Sequence, residues 1–277
     1  MAASTTSTLD DLFVSIVAAA RFTAEEQSLL RNLVTVYNID AQPGVTVQVP
    51  KYPAVTAADL TEGTDMSSTT VSTSSVSITV AEVGAQVLLT DMAAMGAGNP
   101  ADELGTVLGN AIATKMDKDV IGLFDGFSTS LGATTTELTA AYLFQAAATL
   151  RANKAPGRLV GVFHPFQVYA LKANLTNTFA NPNGGDIQNE AMRSGYVGTL
   201  AGIDIYESAN LTVDGSGDSK GAVFAPEAIA IAMKRDFNME PERDASNRGF
   251  ELNATAIYGV GELDDSYGVE MYFDAGL

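Results

Sequence analysis

What the chain lacks excludes several classes of protein. It has no cysteine, so a disulfide framework, a cysteine-based zinc site and a thiol nucleophile are ruled out. Its single histidine, His164, excludes metal sites built on histidine pairs; followed by Pro165, it is expected to cap a helix or make a buried hydrogen bond. No apolar run approaches the roughly 18 residues of a membrane span, and the absence of basic residues before Arg21 argues against a signal peptide. We therefore expect no membrane association, no metal and no cofactor.

Basic residues are also scarce, which limits what the protein can bind. Fifteen Lys and Arg stand against 33 Asp and Glu, for a formal net charge of −18. This balance repels nucleic acid and anionic membranes. We therefore do not expect a protein that functions by binding phosphate groups. A protein that lies beside nucleic acid without binding it is compatible with the charge. The length of 277 residues and the 46% hydrophobic content suit one large domain or two ordinary ones.

The strongest secondary-structure signal is an amphipathic helix from Pro100 to about Phe124. Asn99 suits the N-cap, and Pro100 suits the first helical position. Apolar residues recur at steps of three and four from Leu104 onwards. The charged residues expected to face away from this apolar stripe are Lys115, Asp117, Lys118 and Asp119. At 1.5 Å per residue the helix is roughly 37 Å long, and we expect strands to pack along it.

Residues 1–44 are predicted to form a helical arm. Two short helices each begin with a capping-box pattern, in which Thr8 or Thr23 is followed three residues later by an acid. Their apolar residues are Leu9, Leu12, Phe13, Ile16 and Val17 in the first, and Leu29, Leu30, Leu33, Val34 and Tyr37 in the second. Two interpretations remain open: an ordinary N-terminal helical pair, or an arm that lies on a neighbouring subunit.

Between residues 45 and 90 the apolar period changes to two, which is typical of strands. The middle of this stretch is rich in Ser and Thr, so it is either a flexible linker or one long β-hairpin with Glu62-Gly63 near its tip. About twenty residues per arm would reach roughly 65 Å, far beyond a body with a radius of gyration of about 19 Å. Because isolated hairpins are marginal in water, we expect something outside the chain to support this one.

The rest of the chain mixes helices and strands. The predicted elements are a helix at Thr139–Asn153, a strand at Leu159–Phe163, a helix after His164, a polar loop at 176–187, strands at Ile203–Tyr206 and Ala228–Met233, and alternating strands in the last thirty residues. This pattern predicts an α+β protein in two units. The long helix and the C-terminal strands belong to one unit, and residues near 131–245 to the other.

Three short motifs could carry chemistry, and each also has a structural interpretation. Gly96–Ala101 precedes a helix but lacks the tight strand-to-helix turn of a dinucleotide loop. Asp214–Asp218 resembles the start of a calcium loop but lacks its later Gly and bidentate Glu, so a hairpin turn fits better. Glu262, Asp264 and Asp265 could act as paired carboxylates; a solvated turn between the two final strands fits them better.

A series of motifs follows in order along nearly the whole chain. They are Val47–Pro50 leading into Ala58–Gly63, Val87–Asp91, the long helix with Asp117 and Asp119, His164–Gln167, Gly195–Ile203, Gly221–Phe224, Arg243-Asp244 and Tyr258–Gly261. In this order they resemble the major capsid proteins of tailed bacteriophages, whose fold is shared with encapsulin shells. The resemblance implies an N-terminal arm (1–44), an extended β-hairpin loop (45–90), a peripheral domain with a long spine helix (91–130 and 246–277) and an axial domain (131–245).

The resemblance also implies a function. Copies of the chain would assemble through pentamers and hexamers into an icosahedral virion shell, formed in the host cytoplasm, that encloses double-stranded DNA without sequence-specific binding. A separate scaffolding protein and a portal are implied partners, with a decoration protein as a further candidate. The residues it suggests at contacts between subunits are Lys51, Asp59, Glu62, Thr64, Leu12 and Phe13. The chain is then not an enzyme; the alternatives are an encapsulin-like compartment and, more distantly, a hydrolase using Glu262, Asp264 and Asp265.

Overall fold

The computed structural model describes most of the chain. The described residues are 29–40, 43–53, 55–57, 59–63, 65, 68, 70–92, 101–178 and 198–276. Several predictions lie outside them: the first arm helix, the N-cap Asn99, the loop Gly96–Pro100 and the polar loop from residue 179 onwards.

The described part of the chain contains three α-helices, twelve strands and four short 3₁₀ helices. The helices are α1 (Ala101–Ile121), α2 (Ala140–Ala152) and α3 (Pro165–Thr178). The strands are β1 (Thr35–Asn38), β2 (Thr46–Lys51), β3 (Ser74–Thr79), β4 (Ala81–Thr90), β5 (Ser130–Gly132), β6 (Leu159–Phe163), β7 (Thr199–Leu200), β8 (Ile203–Glu207), β9 (Asp218–Phe224), β10 (Ile229–Asp244), β11 (Gly249–Glu262) and β12 (Gly268–Asp274). Among these residues no helix is both long and apolar enough to cross a membrane.

The strands form two main sheets and a separate hairpin. The first sheet has the order β1-β10-β11-β4, and the second has the order β5-β12-β9-β6-β8-β7. β2 and β3 pair only with each other. The two longest strands, β10 and β11, run antiparallel at the centre of the first sheet. The predicted α+β class is confirmed.

Two strands lie in the opposite sheet from the unit that the sequence assigned to them. Residues 229–244 were expected with the second unit, but β10 pairs with β11 in the first sheet. Residues 268–274 were expected with the first unit, but β12 pairs with β5 and β9 in the second sheet. Apolar alternation shows that a segment is a strand but does not reveal its partner, and the partners of β12 are distant in sequence.

The predicted long helix is confirmed as α1, which packs on one face of the first sheet. Leu108, Ile112, Met116 and Val120 of α1 are buried in the largest core cluster. The residues of β10 and β11 in the same cluster include Ile231, Met233, Ala254 and Ala256. One member of the predicted apolar stripe, Val107, instead faces outwards with 57% of its surface exposed.

Asp117 of α1 corrects the prediction that all the helix charges face away from the core. Its side chain is only 1% exposed. One carboxylate oxygen accepts a hydrogen bond from the backbone N–H of Leu30 at 3.2 Å, and the other accepts from Nδ2 of Asn210 at 3.4 Å. Asp117 therefore joins α1 to the start of the described chain and to the segment after β8.

The last part of the predicted arm is built into the body of the subunit. Leu30 and Leu33 are buried, and the Arg31 guanidinium makes two hydrogen bonds to the Asp236 carboxylate, at 3.2 and 2.9 Å. β1 pairs parallel to β10. In the described residues the second predicted arm helix is therefore wrong: a short 3₁₀ turn precedes a strand that contains Tyr37. Thr35–Tyr37 has strand-favouring residues, and the edge of β10 supplies their backbone partners.

The other two helices cover one face of the second sheet. Both match their predictions, and the ring nitrogen Nδ1 of His164 accepts a hydrogen bond from the backbone N–H of Phe166 at 3.4 Å, as expected of a cap. Burial lowers the pKa of His164. Gln167, which is fully buried, donates to the backbone oxygens of Ser219 at 2.8 Å and Phe273 at 2.9 Å. One side chain thereby fastens α3 to two adjacent strands.

Candidate assembly surface

Among its described residues, the extended hairpin is paired only at its base. β2 and β3 pair from Thr46 opposite Thr79 to Lys51 opposite Ser74. β4, which the sequence assigned to the hairpin, pairs with β11 in the first sheet. The predicted 65 Å two-stranded structure is therefore wrong in extent, because only Val80 separates β3 from β4 and the alternation continues across it. We call β2 and β3 the hairpin base, and residues 52–73 the hairpin tip.

The hairpin base packs on the face of the first sheet opposite α1. Ile78 and Val80 are buried in a small cluster with Ala230 and Ala232 of β10. Their neighbour Ile231 points into the α1 cluster instead. Because successive strand residues point to opposite faces, the hairpin base and α1 lie on the two sides of the same sheet.

Two glycines of β11 allow the hairpin base to approach the sheet closely. A Cβ atom added to Gly259 would lie 2.3 Å from the carbonyl oxygen of Thr79. One added to Gly261 would lie 2.7 Å from Cγ1 of Ile78. Glycine inside a strand is typical of such close backbone approach. The Tyr258–Gly261 motif noted in the sequence is thus a seat for the hairpin base, a role that the sequence did not reveal.

An ion pair holds the outer end of the hairpin base. Nζ of Lys51 lies 2.6 Å from Oδ2 of Asp264, in the turn between β11 and β12. Burial raises the pKa of Asp264, but hydrogen bonds from Lys51 and Ser266 outweigh this effect and hold the pKa below its ordinary value. Lys51 makes this contact within its own subunit, so a role for it between subunits stays a prediction.

The acidic turn, which contains Glu262, Asp264 and Asp265, is a structural junction. It lies between the last two strands, as predicted, and Asp265 accepts hydrogen bonds from the backbone N–H of Ser128, at 2.7 Å, and from its hydroxyl. Burial, followed by the charges of Asp265 and Asp264, raises the pKa of Glu262. Within the described residues no group of three or more acidic or histidine side chains could hold a metal ion. With two of its three carboxylates engaged inside the subunit, the turn favours a structural role.

Replacing Glu262 with Gln is expected to raise the thermal midpoint of the subunit at neutral pH. The pKa of this carboxyl is raised above its ordinary value of 4.5 in the fold, so its ionised form costs stability once the pH exceeds that value. The advantage of E262Q should shrink as the pH falls towards 4.5, because the native carboxyl then takes up a proton. Calorimetry across this range is the measurement, with the exposed Glu242→Gln as control. A gain that persists unchanged in acid would contradict the assignment.

The other loop with possible metal chemistry is a turn. The Asp214 carboxylate accepts hydrogen bonds from the backbone N–H groups of Ser216 at 2.8 Å and Asp218 at 3.0 Å. The hydrogen bond from the Asp218 backbone is the main cause of a lowered pKa at Asp214. The hairpin-turn interpretation is confirmed.

The hairpin tip exposes apolar side chains that no described residue covers. Tyr52 is 70% exposed and Leu60 is 67% exposed. Every other described residue of the tip is exposed as well. Glu62 and Gly63 form a turn there, and Gly63 adopts a φ of +79°. The exposed apolar side chains of the tip make it a candidate interaction surface.

The predicted contact residues divide between the hairpin and the undescribed segments. Asp59 and Glu62 lie on the exposed tip, and Lys51 lies at the end of the base. Thr64, Leu12 and Phe13 lie outside the described residues. The described surface therefore concentrates the candidate contacts on one projecting loop.

The fold is similar to those of solved structures from phages and from a virus-like particle. The capsid of cyanophage P-SCSP1u is 20% identical and has a TM-score of 0.70, over 89% of this chain and 88% of that one. The structure from Mycobacterium phage Che8 is 21% identical with a TM-score of 0.71, over 88% and 90% of the two chains. A virus-like particle from Pyrococcus furiosus is 11% identical with a TM-score of 0.63, over 94% and 98%. These likenesses establish the predicted capsid fold.

The sequence itself shows to which family the chain belongs. The profile of the phage capsid protein family matches residues 72–270, which is well over half of the chain, and the chain therefore belongs to that family. It is a major capsid protein, with a structural role in the shell of the virion. No curated protein sequence is significantly similar to it.

Proposed function

We propose that copies of this chain assemble through pentamers and hexamers into a closed icosahedral shell that encloses phage double-stranded DNA. The observation that carries this proposal is the hairpin, whose base packs on its own subunit while no described residue covers the apolar side chains of its tip. Head-to-tail contacts between identical chains can close into rings and shells. Each tip buries apolar surface on a neighbour, and many such contacts sum to a stable lattice.

The net charge of the chain supports the proposed role of a container that takes no part in catalysis. With a net charge of −18, an inner surface that carries part of this excess lets packaged DNA move without adhering. Assembly in the host cytoplasm, a separate scaffolding protein, a portal and a decoration protein belong to this proposal as partners and setting. None of them requires a cofactor in the subunit.

A second candidate is an encapsulin-like compartment. It is favoured only by the distant likeness to the Pyrococcus furiosus particle, at 11% identity. Purified particles distinguish the two: the capsid contains DNA, whereas a compartment contains a cargo protein.

Removing the hairpin tip is expected to abolish shells while leaving the subunit folded. Deleting Asp59–Val76 would also remove the part of β3 that pairs with β2. The structure favours replacing residues 52–73 with Asn-Gly, a two-residue turn that joins paired strands. Negative-stain electron microscopy should detect no shells, and calorimetry should show an unchanged thermal midpoint.

A length-preserving variant provides the matched control. Serine at Tyr52, Val55, Leu60 and Val71 removes only the apolar surface of the tip and should also prevent assembly. Serine at Val213, which is exposed elsewhere, should not. Normal particles from the tip-less chain would remove the basis of the proposed function.

A further inference from the structure

The outer end of the hairpin base is held by an ion pair at the point where its apolar packing on the first sheet stops. Ile78 is buried at the inner end, and Val76 packs partly against the same cluster. Beyond Val76 towards the tip, no described residue of the hairpin base belongs to that cluster. In the last pair of the base, Lys51 opposite Ser74, Nζ of Lys51 lies 2.6 Å from Oδ2 of Asp264. The ion pair therefore holds the base just before the unpaired tip begins.

The carboxylate that receives Lys51 is itself fixed to the body of the subunit. Its other oxygen, Oδ1 of Asp264, accepts hydrogen bonds from the backbone N–H of Ser266 at 3.1 Å and from the Ser266 hydroxyl at 2.7 Å. The backbone N–H groups of Asp264 and Leu263 donate to the carbonyl oxygen of Ala228, at 3.3 and 2.7 Å. None of these bonds involves the hairpin. Asp264 is thus a fixed point to which Lys51 ties the end of the base.

Lys51 is also the only basic residue between residues 45 and 80. The other charged residues of that stretch are Asp59, Glu62 and Asp65, and the charges of the acidic turn are all negative as well. Burial is the main cause of the raised pKa of Glu262 in that turn, and the charge of Lys51 opposes it. Without Lys51, every charge left on the hairpin would have the same sign as the turn, and like charges repel.

We propose that Lys51 is a positioning residue, whose pair with Asp264 sets the direction in which the tip leaves the free subunit and thereby promotes assembly. A loop that is already held in the direction it needs in a complex loses less conformational entropy on binding. Lys51 then acts on assembly from inside its own subunit, without touching a neighbour. The effect on assembly rests on the proposed function, whereas the effect on the direction of the tip concerns the free subunit alone.

Distances measured in the free subunit test the direction of the tip, and the absence of cysteine from the native chain makes labelling specific. Nitroxide labels are attached at Thr73→Cys, at the end of the tip, and at Ala148→Cys, an exposed position of α2. Below the concentration at which the native chain assembles, double electron–electron resonance should give a narrow distance distribution. Lys51→Met should broaden this distribution, whereas Lys51→Arg, which keeps the charge, should not.

The protein concentration needed for assembly is the second measurement. Lys51→Met and Asp264→Asn each remove the charge from one side of the pair, and each should raise that concentration by up to about fivefold. Because both substitutions act on one contact, the double variant should assemble no worse than either single variant. Lys115→Met is the control, since it removes a similarly exposed ion pair with Asp119 on α1, and it should change neither measurement.

Three results would overturn the proposal. The first is a native distance distribution in Lys51→Met, and the second is additive effects of Lys51→Met and Asp264→Asn on assembly. The third is native assembly by variants whose distance distribution is broadened, because the direction of the tip would then not govern shell formation. If the native chain forms no particles, the proposed function fails, and the distance measurement still decides whether Lys51 directs the tip.

Discussion

A single methyl group at Gly259 is expected to dislodge the hairpin base and prevent shell formation. The Cβ of an alanine would lie 2.3 Å from the carbonyl oxygen of Thr79 and 3.1 Å from Cα of Val80. Both are backbone atoms, which cannot move aside as a side chain does. Forcing a group into a packed interface costs about 1–3 kcal/mol, so Gly259→Ala should lower the free energy of unfolding by that amount. Denaturant titration and electron microscopy are the two measurements.

Gly215 provides the matched control for this substitution. A Cβ there would have no atom within 4 Å, and the residue has no positive φ. Gly215→Ala should leave assembly intact and stability unchanged or slightly raised, because alanine restricts the unfolded chain. Normal shells from Gly259→Ala would show that the seat of the hairpin base does not govern the direction of the tip.

Loss of the buried carboxylate of Asp117 is expected to destabilise the subunit by about 3 kcal/mol. The Asp117→Ala variant would leave the backbone N–H of Leu30 and the amide of Asn210 without the acceptor they use now. An unsatisfied buried donor costs about 1–3 kcal/mol. The N–H of Leu30 should also exchange with solvent faster, which hydrogen-exchange mass spectrometry or NMR can measure directly.

Two comparison variants separate this effect from a general loss of charge. Asp117→Asn keeps one carbonyl acceptor and should lose less stability. Asp125→Ala removes an exposed carboxylate that pairs with Lys220, and exposed pairs contribute about 1 kcal/mol or less. Equal losses from Asp117→Ala and Asp125→Ala would mean that Asp117 does not anchor Leu30.

The local sequence pattern was sufficient to predict the helices and strands whose apolar residues recur at regular intervals. The helix predicted at Thr139–Asn153 is found at Ala140–Ala152, and the strand predicted at Leu159–Phe163 has those bounds. In both cases an apolar repeat ends at Pro156-Gly157 or at His164-Pro165, which are clear stop signals. The order of the motifs along the chain was likewise sufficient to identify the family, because this order does not depend on which strands pair.

Features that depend on contacts between distant segments were not predictable. The spacing of Leu30, Leu33 and Tyr37 imitates a helix, and only the edge of β10 makes the last of them part of a strand. Asp117 lies in a helix whose two lysines are exposed, and no sequence pattern shows that the carboxylate of Asp117 instead meets the backbone of Leu30. Gly259 was noted only as part of the Tyr258–Gly261 motif, and nothing in that motif shows that the hairpin base packs against it.

The exchange of β10 and β12 between the sheets has a mechanical consequence. The chain passes from the second sheet to the first between β9 and β10, and returns between β11 and β12. The two sheets are therefore joined by the chain at both crossings, so a force applied to one sheet is transmitted to the other through the backbone. In the proposed shell, a force that a neighbouring subunit applied to the hairpin base would pass through β10, β11 and β12 into both sheets, so contacts between subunits should separate before a single subunit unfolds.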